Sequence, residues 1–480
     1  MIDIPSMVAM ENEPRARREA RASSFPAWAR VLDTAIVAFL VLAASVAVFG
    51  GYRTRLIGVR FSLTSAPLLL LYFAATAIVR HSLVPREPVY HRLWQWARTY
   101  VASDAFAAAW SMFVTTRLAV LVLGYLAIWT IGYPPQTPPY RLFSNEVFNL
   151  PVRWDAGWYL GIANVGYTWD ETALKDWRQQ NVAFFPAFPL LMRAGGRLIG
   201  ERPVIAGQLI SLIAFLAALV YLYRLAREVL EHHAPASAIA LLAAYPFAVF
   251  FSAIYTESLF LLSAVAAFYH FHRQEHGRAG AWGLVAGLSR PNGALLSVAL
   301  AVLAVQNWQR ESAALGRVRG LMAAAAPGVG MLLFSAYLFA LTGRPFAWME
   351  AHRAWGRTYH GLDWFGAQRF REFVDGFYHN PAALPIDVMN GAAVLLALLL
   401  VWPIVRRFGL AYGIFVLVNL IPPLFAGGLI SMGRLTSVLF PTFLWLGEAI
   451  PASRRPAWVA AFGMGQALGA MLFFTWRPFY

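Results

Sequence analysis

The sequence predicts an all-α, polytopic helical membrane protein, and three observations carry that prediction. Of its 480 residues 59% are hydrophobic and only 13% charged, where a soluble domain carries about 25% charged residues. Mean hydropathy is +0.55. Apolar runs also recur along the whole chain at the roughly 17–25 residues a bilayer crossing needs. The formal charge of +15 is almost wholly arginine, Lys175 being the single lysine. These arginines are spread over the ends of apolar runs rather than gathered on one polar face. That excludes a nucleic-acid partner and fits cytoplasmic span ends. With no cysteine, disulfides and thiolate chemistry are excluded outright.

Taken in order, residues 1–30 hold Arg15, Arg17, Arg18, Arg21 and Arg30 and read as a cytoplasmic arm, too long and polar for a signal peptide's n-region. Residues 31–106 supply two spans, Val31–Phe49 and Ser62–Val79. The basic link between them (Arg53, Arg55, Arg60) runs against a strict positive-inside count. An interfacial amphipathic helix follows over about 80–104, where Arg86, Arg92 and Arg98 alternate with Trp94, Trp96 and Tyr100. Residues 107–341 form the expected core. Ala107–Ile131 crosses, Pro134-Pro135-Gln136-Thr137-Pro138-Pro139 breaks the helix, and a polar segment, 133–203, lies outside the cytoplasm. Val204–Tyr223 returns, Ser237–Phe251 goes out and Ile254–Phe271 comes back.

Residues 279–306 are flanked on both sides by arginines: Arg273 and Arg278 before, Arg310, Arg317 and Arg319 after. The stretch must therefore enter and return. Arg290-Pro291-Asn292-Gly293 at its middle supplies the break, giving a short broken hairpin. Half-helices meeting at depth require protein or a watery cavity to satisfy their free backbone groups, which places Arg290 at such a cavity. Leu321–Leu341 leads to a second long outer loop, 342–387. The last segment, 388–480, holds Val388–Val405, Leu410–Ile430, Leu435–Ile450 and Trp458–Trp476. The tally is about thirteen membrane helices and two long extracytoplasmic loops. No internal repeat is visible.

The outer face collects the candidate chemistry. Asp155 stands among aromatic and small residues in Arg153-Trp154-Asp155-Ala156-Gly157-Trp158-Tyr159, where a charge needs a reason. Glu257 lies in Tyr255-Thr256-Glu257-Ser258, Arg290 in the broken hairpin and Arg434 in Met432-Gly433-Arg434-Leu435. Arginine forks pair with phosphate oxygens. An aspartate can take the proton of an attacking hydroxyl while positive groups stabilise a leaving phosphate. Against these roles stand structural ones. Asp155 suits the N-cap of a helix beginning at Ala156, Arg153 suits a headgroup anchor, Glu257 and the arginines suit structural pairs, and Asn292 suits the turn itself. His352, His360 and His379 have no short metal-ligand spacing, and no nucleotide-binding loop is present.

Several of these stretches carry a resemblance. Arg153-Trp154-Asp155, Ile162-Ala163-Asn164-Val165-Gly166-Tyr167 and Asn181-Val182-Ala183-Phe184-Phe185-Pro186-Ala187-Phe188-Pro189 are similar to the PIG-V family of mannosyltransferases. The likeness continues through Tyr245-Pro246-Phe247, Tyr255-Thr256-Glu257-Ser258, Ser289-Arg290-Pro291-Asn292-Gly293 and Gly433-Arg434-Leu435, covering about residues 110–445. It implies the GT-C membrane fold, a polyprenyl-phosphate-linked sugar as donor and a catalytic acidic residue in the first long outer loop, which by position is Asp155.

The expectation is then an integral-membrane glycosyltransferase of a bacterial inner membrane. It moves a hexose, mannose in the first place, to an acceptor hydroxyl on the extracytoplasmic face, with inversion. Asp155 is the base, Arg290 and Arg434 hold the donor phosphate, and Arg153, Trp154, Glu257 and Asn292 line the substrate. No cofactor or metal is expected. The partners are membrane lipids, the lipid-linked donor and a glycolipid, polysaccharide or protein acceptor. Two other readings stand beside it: a lipid-linked-sugar flippase, for which a charged broken hairpin would serve equally, and the same enzyme type using arabinose, glucose or galactose.

Overall fold

The computed structural model describes residues 27–49, 52–56, 59–83, 98–99, 101–135, 140–230, 234–308, 314–357 and 384–479. The arginine-rich arm, most of the expected interfacial helix, His360 and His379 lie outside the described residues. The chain falls into two compact units, 1–102 and 103–480.

In the first unit, α1 (Ala27–Phe49) and α2 (Ala66–Leu83) pack on each other. Ala43, Val46 and Leu69 form the seam, with Phe39 against Tyr72 at 5.8 Å. Asp33 near the start of α1 meets Arg80 near the end of α2 through two parallel contacts, Nε to Oδ1 at 2.7 Å and Nη2 to Oδ2 at 3.2 Å. The helices are joined by one element the sequence reading did not foresee. β1 (Tyr52–Leu56) and β2 (Val59–Leu63) pair antiparallel with Arg55 opposite Arg60. The period-two alternation of Arg53 and Arg55 with Tyr52, Thr54 and Leu56 is the strand signal that was there to be read.

Among its described residues the regular elements of the second unit are all helices. Its elements are α3 (Asp104–Thr130), α4 (Glu146–Asn149), α5 (Ala156–Val165), α6 (Glu171–Lys175), α7 (Ala187–Leu198), α8 (Pro203–Val229) and α9 (Ala234–Ala244). Then come α10 (Glu257–His272), α11 (His276–Ser289), α12 (Leu296–Gln306), α13 (Ala314–Thr342), α14 (Ala347–Ala351) and α15 (Leu384–Phe408). The chain closes with α16 (Leu410–Gly427), α17 (Met432–Thr436), α18 (Phe440–Ala449) and α19 (Arg455–Phe474).

Seven described helices (α2, α3, α8, α13, α15, α16 and α19) are long and apolar enough to cross a bilayer. An eighth arises if α9 and the 3₁₀ turn Pro246–Ser252, bent by 79°, count as one. Thirteen were expected. Each of the thirteen expected stretches overlaps a described helix, and the lower count reflects stretches too short to cross alone by length and composition. Tyr245-Pro246 breaks one, while α10, α11, α12 and α18 have only 16, 14, 11 and 10 residues. α10 is apolar around nearly its full circumference and buried almost throughout, as a helix enclosed by other helices must be.

The two ends of this unit differ. At one, Arg227 faces Asp104 at 4.0 Å, Arg273 bonds Glu228 at 3.2 Å and Arg407 bonds Glu448 at 2.7 Å. α11 and α12 start and finish near that end: His276 sits against Gly320, and Arg317 donates to the Trp308 carbonyl. Their junction reaches only the middle of α13, where Ser297 Oγ accepts the Gly328 amide at 2.9 Å. The entering and returning hairpin is therefore present. Its apex is tight because Gly293 lies against the Ala286 carbonyl, where a Cβ would come within 1.9 Å.

Candidate active site

Asp155 is fixed by its backbone. Trp154 takes φ 52°, the left-handed region that a bulky residue rarely occupies. The turn is clamped by the wholly buried Tyr255, whose hydroxyl donates to the Arg153 carbonyl and accepts the Asp155 amide at 3.1 Å. α5 starts at the next residue, but the Asp155 side chain makes no capping hydrogen bond to it. Its Oδ2 instead accepts Arg434 Nη1 at 2.8 Å. The capping reading of Asp155 is thereby set aside.

Glu257 opens α10, where a carboxylate is favoured by the helix dipole, and is wholly buried. Its Oε1 accepts Arg290 Nη2 at 2.6 Å and lies 2.9 Å from Arg434 Nε. Arg290 follows the last turn of α11, the end that favours a cation. The result is an alternating row, Asp155–Arg434–Glu257–Arg290, with two carboxylates against two guanidiniums. Arg290 stacks over Phe260, and Arg434 over Tyr255 at 5.2 Å. The row is not saturated. Arg290 Nη1 and Glu257 Oε2 are buried without a hydrogen-bond partner among the described residues, and such atoms are costly to leave unmet.

Arg434 owes its place to α17. Gly433 donates its amide to Asn390 Oδ1 at 2.6 Å, and any side chain there would collide with the Phe247 ring. Asn292 donates to Asn419 Oδ1 at 2.7 Å, tying the hairpin apex to α16.

These groups open on one cavity of about 700 Å³. Asp155, Arg290, Asn292 and Arg434 line it, with Tyr159, Phe184, Met331, His352, Trp355 and Arg357. One wall is thus charged and most of the rest is aromatic or aliphatic, the usual make-up of a binding site. Of the residues singled out in the sequence, the structure brings Asp155, Glu257, Arg290, Asn292 and Arg434 together.

Arg153 and Trp154 are elsewhere. Arg153 is fully buried and spends its guanidinium on the carbonyls of Phe474, Asn149 and Val152 and on the Tyr133 hydroxyl. Burial lowers its pKa from the usual arginine value. It locks the outer loop to the end of α19 and lines no part of the cavity, so its expected substrate contact is corrected to a positioning role. Trp154 packs on Trp476 with ring centres 5.2 Å apart and likewise leaves the cavity. Sequence reasoning does not single out Trp355 or Arg357, names His352 only as a metal candidate that it rejects, and holds Tyr255 only within Tyr255-Thr256-Glu257-Ser258. Only Tyr255 had a signal, its place two residues before Glu257.

Residues 140–342 match the family model described as Mannosyltransferase (PIG-V). GPI alpha-1,6-mannosyltransferase 2 of Mus musculus is 32% identical over 154 residues, a match that covers 29% of this chain and 29% of the mouse protein. No solved structure matches. The likeness is thus to a mannosyltransferase family and is carried by residues 140–342, which hold Asp155, Glu257 and Arg290, and by a stretch spanning under a third of the mouse protein.

Proposed function

We propose that this protein is an integral-membrane glycosyltransferase that moves a hexose, mannose in the first place, from a polyprenyl-phosphate-linked donor to an acceptor hydroxyl. The reaction takes place on the extracytoplasmic face of a bacterial inner membrane, with inversion. The observation that carries this reading is the Asp155 carboxylate at the wall of a largely apolar cavity, 2.8 Å from Arg434 in a row of alternating charges. An apolar cavity suits a lipid tail, and a charged row at one wall suits a phosphate.

In the reaction Asp155 takes the proton of the acceptor hydroxyl. The new bond forms between that oxygen and the anomeric carbon as the bond from this carbon to the phosphate oxygen breaks. The electron pair leaves with the polyprenyl phosphate, which gains one negative charge. Arg434 and Arg290 meet that charge, the phosphate drawing Arg434 away from Asp155 as the carboxylate becomes neutral. Charge that moves within a preorganised row of fixed partners is stabilised with less reorganisation than in water. Glu257 holds the two guanidiniums apart and aimed. Nothing in this chemistry requires a metal or cofactor.

The test is transfer from synthetic polyprenyl-phosphate-mannose by the purified protein, beside Asp155→Asn. General-base catalysis is typically worth about 10²–10⁴-fold. Turnover should fall by at least about a hundredfold in Asp155→Asn while donor binding survives. Equal turnover in both removes Asp155 as the base. Turnover in detergent, with no membrane gradient, also separates the enzyme from a flippase.

A further inference from the structure

A second concavity, of about 500 Å³, lies against the other side of α5. Gly157, Trp158 and Gly161 form one wall; Trp169, Asp170 and Gln180 stand among the residues of the facing segment. We propose that this cleft is a carbohydrate-binding site, taking a pyranose unit of the acceptor. The proposal rests on the glycosyltransferase reading for the word acceptor, but not for the binding of sugar.

The observations that carry it are of four kinds. Gly157 and Gly161 are one helical turn apart and share a face. A Cβ at either would meet nothing within 4 Å, so the space beside α5 is left open rather than filled by packing. Two indole rings border it. Aromatic faces give a sugar ring its apolar contact, while planar amide and carboxylate groups bond its hydroxyls. Asp170 is exposed and stays ionised: the amide of Ala173 holds its carboxyl below the usual range, and Arg178 stands 3.3 Å away. Gln180 is only 7% exposed; its Oε1 accepts the Asp170 amide at 2.9 Å, while its Nε2 has no partner among the described residues. A nearly buried donor left unmet asks for a ligand acceptor.

Placement fits the same use. Gly157 and Gly161 follow Asp155 by two and six residues, so the cleft begins about 3 Å and continues to about 9 Å along the helix axis from Asp155. Trp158 is the shared partition. It lines the cleft, and its ring stacks on Phe184 and meets Trp355 edge-on, both of which line the cavity. An acceptor seated in the cleft thus lies at the end of α5 that carries the proposed base.

The test uses the full chain in detergent, with methyl α-mannoside and mannotriose as probes, read by saturation-transfer NMR. A Cβ at Gly161 meets nothing within 4 Å, so Gly161→Leu projects into the cleft, and thermal unfolding measured beside binding should show the fold kept. Wild type should bind mannotriose, and the variant should bind it at least about tenfold more weakly, a change of about 1.4 kcal/mol. Retention of polyprenyl phosphate should be the same in both. Equal binding by both, or no binding of either probe by wild type, overturns the proposal. If mannotriose binding is lost in the variant but wild type transfers no mannose, the cleft stands and the enzyme reading fails.

Discussion

Asp33–Arg80 in the first unit and Asp155–Arg434–Glu257–Arg290 in the second are both buried ionic groups in a helical membrane protein, yet they are built differently. In the first, one guanidinium meets one carboxylate through two parallel contacts at 2.7 and 3.2 Å. This is the fork-on-fork geometry that best repays desolvation. In the second, a single oxygen of Glu257 serves two arginines, and every contact is one-pronged. Arg290 Nη1 and Glu257 Oε2 are left without partners among the described residues. The first pair joins two helices through both prongs of one guanidinium, whereas the row beside the cavity leaves Arg290 Nη1 and Glu257 Oε2 for what enters. The difference separates structural charge from charge available to a ligand more clearly than burial does.

The largest effect should follow from breaking the row at its centre. Glu257→Gln leaves Arg290 and Arg434 beside each other with one carboxylate for two cations. Removing one partner of a buried pair costs about 3–5 kcal/mol. The variant should unfold at markedly lower temperature and lose transfer almost completely. A variant that keeps wild-type stability and donor binding would show that Glu257 does not neutralise the arginines. Asp33→Asn is the matched cut in the first unit. It exchanges a charged acceptor for a neutral one at Arg80, a loss of about 1–3 kcal/mol, without altering turnover per folded molecule. If Asp33→Asn lowers turnover while melting is unchanged, the contrast between the two constellations fails.

How much of this was legible in the sequence follows the same division. Composition and arginine-bounded apolar runs give the membrane class, and the basic flanks of residues 279–306 give the returning hairpin. Both are local patterns. Asp155 could be named as a charge among aromatic and small residues, Arg290 as the charge at the hairpin's break, and Glu257 and Arg434 as charges at span ends on the outer face. Their connectivity could not: Arg434 reaches Asp155 across 279 residues, and nothing in either stretch says that Glu257 stands between the two arginines. Arg153 misled for a related reason. Its neighbours in sequence are those of a site residue, but its guanidinium is consumed by carbonyls such as that of Phe474, 321 positions away. The expected helices are present, but how many of them are long enough to cross alone is decided by breaks such as Tyr245-Pro246, which a running average of hydropathy smooths over.

The smallest effect concerns His352, which lines the cavity among the aromatic residues. Its Nδ1 stands 2.7 Å from the Trp348 carbonyl. A carbonyl only accepts, so Nδ1 carries the proton and a neutral ring leaves Nε2 as an acceptor. Burial, with Arg357 adding to it, pushes the ring's pKa down to about 4, against about 6.5 for a free imidazole. The sign follows directly: as pH falls below about 6.5 the unfolded chain takes up a proton that the fold refuses until about pH 4. Stability therefore declines across that window and is constant above it. Melting temperatures of wild type and His352→Gln should run parallel above pH 7 and approach or cross between pH 6.5 and 4, the wild type losing more. Turnover should show no limb near pH 6.5 that the substitution removes. If such a limb disappears in His352→Gln, His352 titrates during the reaction. The cavity would then contain a second proton-transfer group besides Asp155, and the contrast between a closed structural pair and an open row would have to extend to that histidine.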